Sequence, residues 1–253
     1  KGQWYSYAIA GGKTTALTQG LNISFVEEDN DVPDDPSSYG LAGWLEDDKA
    51  VLIYDRYDIW SFSPDGKSTP KNITNGYGRQ NKITFRYNKT DFDERFISKK
   101  EAVYLSAFNN VTKENGFFLK NLGDSKSPVL AVLGPYKYSF LTKAKNAEKY
   151  LYDKGNYTLS PDVYATSDFR SETKLSSTNP QQKNYNWGTA SLEKWTTPKG
   201  YAAEGILYKP ENFDPTKKYP MIVYFYEKLS DGLYNYIAPT PTPSRLNISY
   251  FVS

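Results

Sequence analysis

Gly40-Leu41-Ala42-Gly43-Trp44, Ala50-Val51-Leu52-Ile53-Tyr54, Tyr57-Asp58-Ile59-Trp60-Ser61-Phe62 and Lys71-Asn72-Ile73-Thr74 follow one another with only short polar breaks between them. The second run is apolar and β-branched. The third alternates large apolar with polar residues, as a strand with two unlike faces does. Glu46-Asp47-Asp48 makes the first turn. Pro64-Asp65-Gly66 makes a later one, where Pro presets φ and Gly accepts a positive φ. Four strands within the stretch 39–74 match one β-propeller blade in size.

The pattern recurs along the chain. Trp4–Ile9, the Gly11-Gly12 turn and Ala16-Leu17-Thr18 match the outer half of such a unit. A further unit runs from Ile83-Thr84-Phe85 through Ala102–Leu105 and Gly116–Leu119 to Val129–Val132. Another runs from Tyr138–Leu141 through Lys149–Tyr152 and Pro161–Tyr164 to Lys174-Leu175-Ser176. Leu17-Thr18, Ile73-Thr74 and Leu175-Ser176 mark equivalent outer-strand positions. Repetition of a four-stranded unit favours a propeller over a sandwich. Residues 1–178 are therefore expected to form about three and a half blades of an incomplete propeller, since closure takes about four to eight. Open blade edges and faces favour association, with a second copy or with further chain.

Residues 179–253 change grammar. A polar connector leads into a hairpin, Ala190–Trp195 and Tyr201–Tyr208 about Pro198-Lys199-Gly200. Met221-Ile222-Val223-Tyr224-Phe225-Tyr226 is continuously apolar, as in a strand buried on both faces by helices. The order of Asn179-Pro180, Trp187-Gly188, Lys209-Pro210-Glu211-Asn212-Phe213-Asp214-Pro215 and Lys218–Tyr226 resembles the entrance to the hydrolase domain of the prolyl oligopeptidase family of serine peptidases. The similarity is to the dipeptidyl peptidase IV-like branch. Ser38-Tyr39-Gly40, Ala42-Gly43-Trp44 and Asp55–Trp60 are similar to a propeller blade of the same family. The resemblance covers nearly the whole chain. It implies a mostly β fold, with blades followed by the first strands of an α/β-hydrolase domain. It also implies a parent enzyme that hydrolyses short peptides behind a gating propeller, outside the cytoplasm.

The chain contains no histidine and no Gly-x-Ser-x-Gly elbow, so it holds no Ser-His-Asp triad. It is expected to be an inactive fragment of the parent. The resemblance places one element of the chemistry here: Tyr226, as an oxyanion-hole donor. Here Glu227-Lys228 follow it, where many relatives have a small residue, Gly and Pro. The alternative reading is a non-catalytic β-propeller interaction module.

Other candidates are weighed on their residues. Glu27-Glu28 invites comparison with an acidic pair that binds a substrate amino terminus. Its setting differs, however, and the stretch Glu27–Asp35 reads as a solvated loop, its carboxylates lacking an ordered calcium register. Arg56 can be read as a substrate clamp in a central cavity. The favoured reading has Arg56 and Asp58 fixing a turn while Ile59 and Trp60 pack. Six Asn-x-Ser/Thr sites, at Asn22, Asn72, Asn88, Asn110, Asn156 and Asn247, are read as chance in a chain rich in those residues. With no His or Cys, no cofactor or metal is expected. A formal net charge of +2 with interspersed signs gives no argument for nucleic acid, and no apolar run reaches membrane-spanning length. The 23 tyrosines suit half-buried sheet faces, where a ring packs and its hydroxyl stays wet.

Overall fold

The computed structural model describes residues 2–99, 102–226, 228–240 and 246–252. It divides into two compact units. One comprises Lys1–Val111 and Gly116–Leu133, the other Thr112–Asn115 and Gly134–Ser253.

The first unit opens with the hairpin β1 (Tyr5–Ala8) and β2 (Lys13–Ala16), paired antiparallel with Tyr5 opposite Ala16. A four-stranded antiparallel sheet follows, β3 (Leu41–Trp44), β4 (Val51–Tyr54), β5 (Ile59–Phe62) and β6 (Lys71–Asn72), in sequential order. The next sheet is β7 (Ile83–Asn88), β8 (Ala102–Asn109), β9 (Asn115–Asn121) and β10 (Val129–Gly134), again sequential. The expected units are thus four-stranded meanders. A short helix, α1 (Tyr77–Asn81), links the two sheets.

The period-2 geometry of β4 explains its sequence. Leu52 and Tyr54 point to one face and join Ile59, Phe85, Leu105 and Phe118 in a core cluster shared with the next sheet. Val51 and Ile53 point to the other and join Leu17, Phe25 and Phe62. All four residues of β4 are buried. A central strand covered on both faces reads as unbroken apolar sequence because neither side chain set meets water. Fully burying each such side chain contributes about 1.5–3 kcal/mol.

The second unit contains the sheet β11 (Lys137–Lys143), β12 (Tyr150–Gly155), β13 (Asp162–Thr166) and β14 (Glu172–Lys174). It also contains the hairpin β15 (Thr189–Thr196) and β16 (Ala202–Lys209), registered with Thr189 opposite Lys209, and a short helix α2 (Ile248–Val252). Tyrosines line the sheet: Tyr138, Tyr152 and Tyr164 pack ring on ring, at centroid distances of 5.7 and 6.2 Å. The Tyr152 hydroxyl donates to Glu172 at 2.6 Å, and Lys154 lies 4.2 Å over the Tyr136 ring. Tyr157 and Tyr208 pack at 5.0 Å, and burial pushes each phenol up to about 12. Gly188 enters the hairpin at φ +82, where a Cβ would sit 2.3 Å from the Lys209 carbonyl oxygen, so only glycine fits.

Met221–Tyr226 departs from expectation. It forms no strand, and all six side chains are exposed, Phe225 to 85% and Tyr226 to 70%. Among the described residues no strand pairs with its backbone and nothing covers its two faces. Unbroken apolar sequence yields a buried strand only where neighbours supply both. No helix among the described residues is long and apolar enough to cross a membrane.

Candidate functional site

The equivalent positions at Thr18, Thr74 and Ser176 share one side-chain arrangement. The Ile59 amide donates to Thr74 Oγ1 at 3.2 Å, that hydroxyl donates to Asp58 Oδ1 at 2.6 Å, and the Ile73 amide donates to the Ile59 carbonyl at 2.9 Å. In the first hairpin region the set is Trp4 amide to Thr18 Oγ1 (2.9 Å), Thr18 Oγ1 to Gln3 Oε1 (2.7 Å) and Leu17 amide to Trp4 carbonyl (2.9 Å). In the second unit it is Val163 amide to Ser176 Oγ (2.8 Å), Ser176 Oγ to Asp162 Oδ1 (2.7 Å) and Leu175 amide to Val163 carbonyl (2.8 Å). A hydroxyl is both acceptor and donor, so one Thr or Ser can end a ladder and anchor a carboxylate at once. The sequence marks the hydroxyls. The acceptors Gln3, Asp58 and Asp162 are not evident from it, because an amide and two acids share no identity. The third strand pair, β9–β10, closes by backbone approach instead: a Cβ at Gly116 would meet the Val132 carbonyl oxygen at 1.9 Å.

A cluster of charge lies at the turn joining β4 and β5. Asp55 Oδ1 accepts the Tyr57 and Asp58 amides, both at 2.7 Å, and Oδ2 accepts the Trp60 indole at 2.8 Å. Burial, partly offset by these donors, holds the Asp55 carboxyl above its ordinary range. Asp58 accepts the Gly78 amide at 2.9 Å and the Arg79 amide at 3.0 Å as well as Thr74. Both buried acids are occupied by local donors. This matches the favoured turn-fixing role of Asp58.

The cations stand on the aromatic residues of the same turn. The Arg56 and Arg79 guanidinium carbons lie 5.2 and 5.1 Å from the Tyr57 ring centroid, and Lys82 Nζ lies 5.5 Å from it. Such contacts are attractive through the ring quadrupole. Arg86 lies 4.6 Å over Tyr54 and donates to the Phe85 carbonyl at 2.7 Å; burial lowers its basicity. Glu28 chelates Arg79 with both oxygens, at 2.6 and 3.2 Å, and this raises the Arg79 pKa. Asp29 pairs with Arg56 at 3.1 Å. The Glu28 amide donates to the Tyr39 hydroxyl at 2.8 Å. Glu28 and Asp29 are therefore turned to arginines, and no group of three or more His, Cys, Asp or Glu among the described residues is placed to hold a metal. Arg79, Lys82 and Arg86 come from beyond the repeat unit that contains Tyr57, so strand patterning gave no signal for them.

Tyr226 is placed at a bend at the end of the exposed stretch and Glu227 lies outside the described residues. Three of the Asn-x-Ser/Thr amides are hydrogen-bonded, Asn72 and Asn156 within their own turns and Asn110 to a distant backbone. Asn72 Oδ1 accepts from Thr74, Asn110 Nδ2 donates to the Lys82 carbonyl, and Asn156 Oδ1 accepts the Thr158 and Leu159 amides.

No family model matches the chain, and no curated protein sequence matches it. Among solved structures it is similar to AtxE2 isopeptidase with Astexin3-dC4 bound, at 12% identity and a TM-score of 0.38, covering 86% of this chain and 46% of that one. It is also similar to a structure from a study of two prolyl endopeptidases and their inter-domain dynamics, at 13% identity and a TM-score of 0.32, covering 84% and 38%. The chain spans less than half the length of either.

Proposed function

We propose that this chain supplies propeller blades and the opening of the hydrolase domain to a longer serine peptidase of the prolyl oligopeptidase family, in the dipeptidyl peptidase IV-like branch. The blades would restrict access to the peptide site, and the chain by itself would not turn over substrate. One observation carries this reading: the blade motif Ala42-Gly43-Trp44…Asp55–Trp60 precedes the Trp187-Gly188 connector, the β15–β16 hairpin and Lys209–Pro215 in a single chain. On this reading the triad base would lie outside this sequence, which contains no histidine.

The test is the encoding gene. The reading predicts an open frame running past codon 253 into a Gly-x-Ser-x-Gly elbow and a later histidine. A stop codon there would refute it. In the longer enzyme Tyr226 would donate to the tetrahedral oxyanion, so Tyr226→Phe should lower kcat by about 10²–10³ with KM little changed. An unchanged kcat would remove Tyr226 from the site.

A second reading, a binding module without chemistry, is favoured by the arginines gathered on Tyr57. It predicts no turnover from the product of the full gene.

A further inference from the structure

We propose that Arg56 and Arg79, set on the Tyr57 ring, form a binding site for a dicarboxylate ligand of the acidic-peptide class, and that Glu28 and Asp29 occupy it as a tethered internal ligand. The inference does not rest on the peptidase reading.

Three observations carry it. The platform is rigid: Tyr57 is buried, the turn beneath it is fixed by Asp55 and Asp58 through amide and indole donors, and Arg79 Nη2 also lies 3.6 Å from Asp55 Oδ1. The arm's contacts reach solvent: the Arg56 and Arg79 side chains are 28% and 33% exposed, and those of Glu28 and Asp29 are 25% and 41% exposed, so a ligand of the same chemistry has access to both guanidinium groups. The internal ligand is also imperfect. Arg79 Nε is buried with no hydrogen-bond partner among the described residues, although a guanidinium offers a side-on pair of donors to a carboxylate.

Charge balance points the same way. Glu28, Asp29, Asp55 and Asp58 match Arg56, Arg79, Lys82 and Arg86 in number. Lifting the arm's two carboxylates away leaves two uncompensated positive charges around one aromatic ring. Adjacent Glu and Asp residues on one strand of peptide reproduce what the arm presents. A tethered ligand competes at an effective concentration in the millimolar range, so the free site should show itself when the arm is neutralised.

The experiment uses the whole chain and the dipeptide acetyl-Glu-Asp-amide, with acetyl-Gln-Asn-amide and inorganic phosphate as comparison probes, by calorimetric titration. The double variant Glu28→Gln/Asp29→Asn should bind the acidic dipeptide at least about tenfold more tightly than the unaltered protein. It should ignore the neutral one, and adding Arg79→Gln should abolish the gain. Equal binding by double variant and unaltered protein overturns the proposal. So does equal binding of the neutral peptide, or tighter binding of phosphate than of the dipeptide. Glu28→Gln alone opens half the site. If circular dichroism shows that both this variant and the double variant fail to fold, the arm is a structural clasp and the proposal falls.

Discussion

Replacing Thr74 by Val changes almost no volume and removes one hydroxyl from a site that water does not reach. Thr74 is 0% exposed. Its Oγ1 is the acceptor for the Ile59 amide at 3.2 Å and a donor to the Asp58 carboxylate at 2.6 Å. Leaving a buried amide without a partner costs about 1–3 kcal/mol, and a hydrogen bond to a charged group contributes about 1.5–3 kcal/mol. Asp58 keeps its two amide donors from Gly78 and Arg79, so the terms overlap. We expect a loss of about 3 kcal/mol, or about two orders of magnitude in the unfolding equilibrium. Thr74→Ser keeps the hydroxyl and drops one methyl, which should cost about 1 kcal/mol. The order is the test, because packing alone would rank Val above Ser. Equilibrium urea unfolding followed by circular dichroism gives the stability change, and amide exchange at Ile59 localises it. Val equal to or better than Ser would refute the role of the hydroxyl.

Ser176→Ala removes the matching group from the second unit. The loss should be smaller, about 1–2 kcal/mol, because Asp162 retains the Thr178 amide at 2.8 Å and the Lys174 ammonium at 2.5 Å. The two buried acids should respond to pH in opposite senses. Asp55 is raised by burial, so its contribution is present below the ordinary Asp value of about 3.9 and is lost as pH rises through its folded value. Burial also works against Asp162, but Lys174, Ser176 and Thr178 outweigh it and hold it low. Its contribution is present above that ordinary value and lost as pH falls through its folded one. Asp162→Asn should therefore flatten the acid side of the second unit's stability curve, and Asp55→Asn the rising-pH side of the first unit's. An unaltered pH profile in either variant would contradict this. Lys120 is 1% exposed and its ammonium donates to Asp124 Oδ1, the Asp124 carbonyl and the Lys126 carbonyl at 2.7–2.9 Å. Lys120→Met should cost about 2 kcal/mol by thermal or urea unfolding, and no loss would mean water replaces it freely. Phe225→Asp should change stability by no more than about 0.5 kcal/mol while reducing aggregation in light scattering. A large destabilisation would mean that the 221–226 stretch is buried after all.

The blades were legible because their strands carry two independent signals, alternation and turn chemistry, that agree over the stretch 39–74. Tyr57–Phe62 alternates large apolar with polar residues, Pro64-Asp65-Gly66 turns, and the sheet follows. Val51–Tyr54 and Met221–Tyr226 show where such reading fails. Both are unbroken apolar runs of β-favouring residues. The first is buried on both faces between packed sheets, and the second lies exposed without a paired strand. The difference is set by what stands next to each run, which local sequence does not record. The charged cluster was half legible. Asp55-Arg56-Tyr57-Asp58 announces a polar turn, but the pairing of Arg79 with Glu28 joins residues 51 positions apart. No periodicity links them.

Residue-resolved amide hydrogen exchange tests the central claim most directly: that repeated four-stranded units, two of them closed by the hydroxyl-centred arrangement also seen beside the first hairpin, carry the stability of this chain. Trp4, Ile59 and Val163 amides should exchange slowly, and Ile222–Tyr226 should exchange near the rate of unstructured peptide. Fast exchange at Ile59 and Val163, with protection concentrated in Ile222–Tyr226, would contradict it.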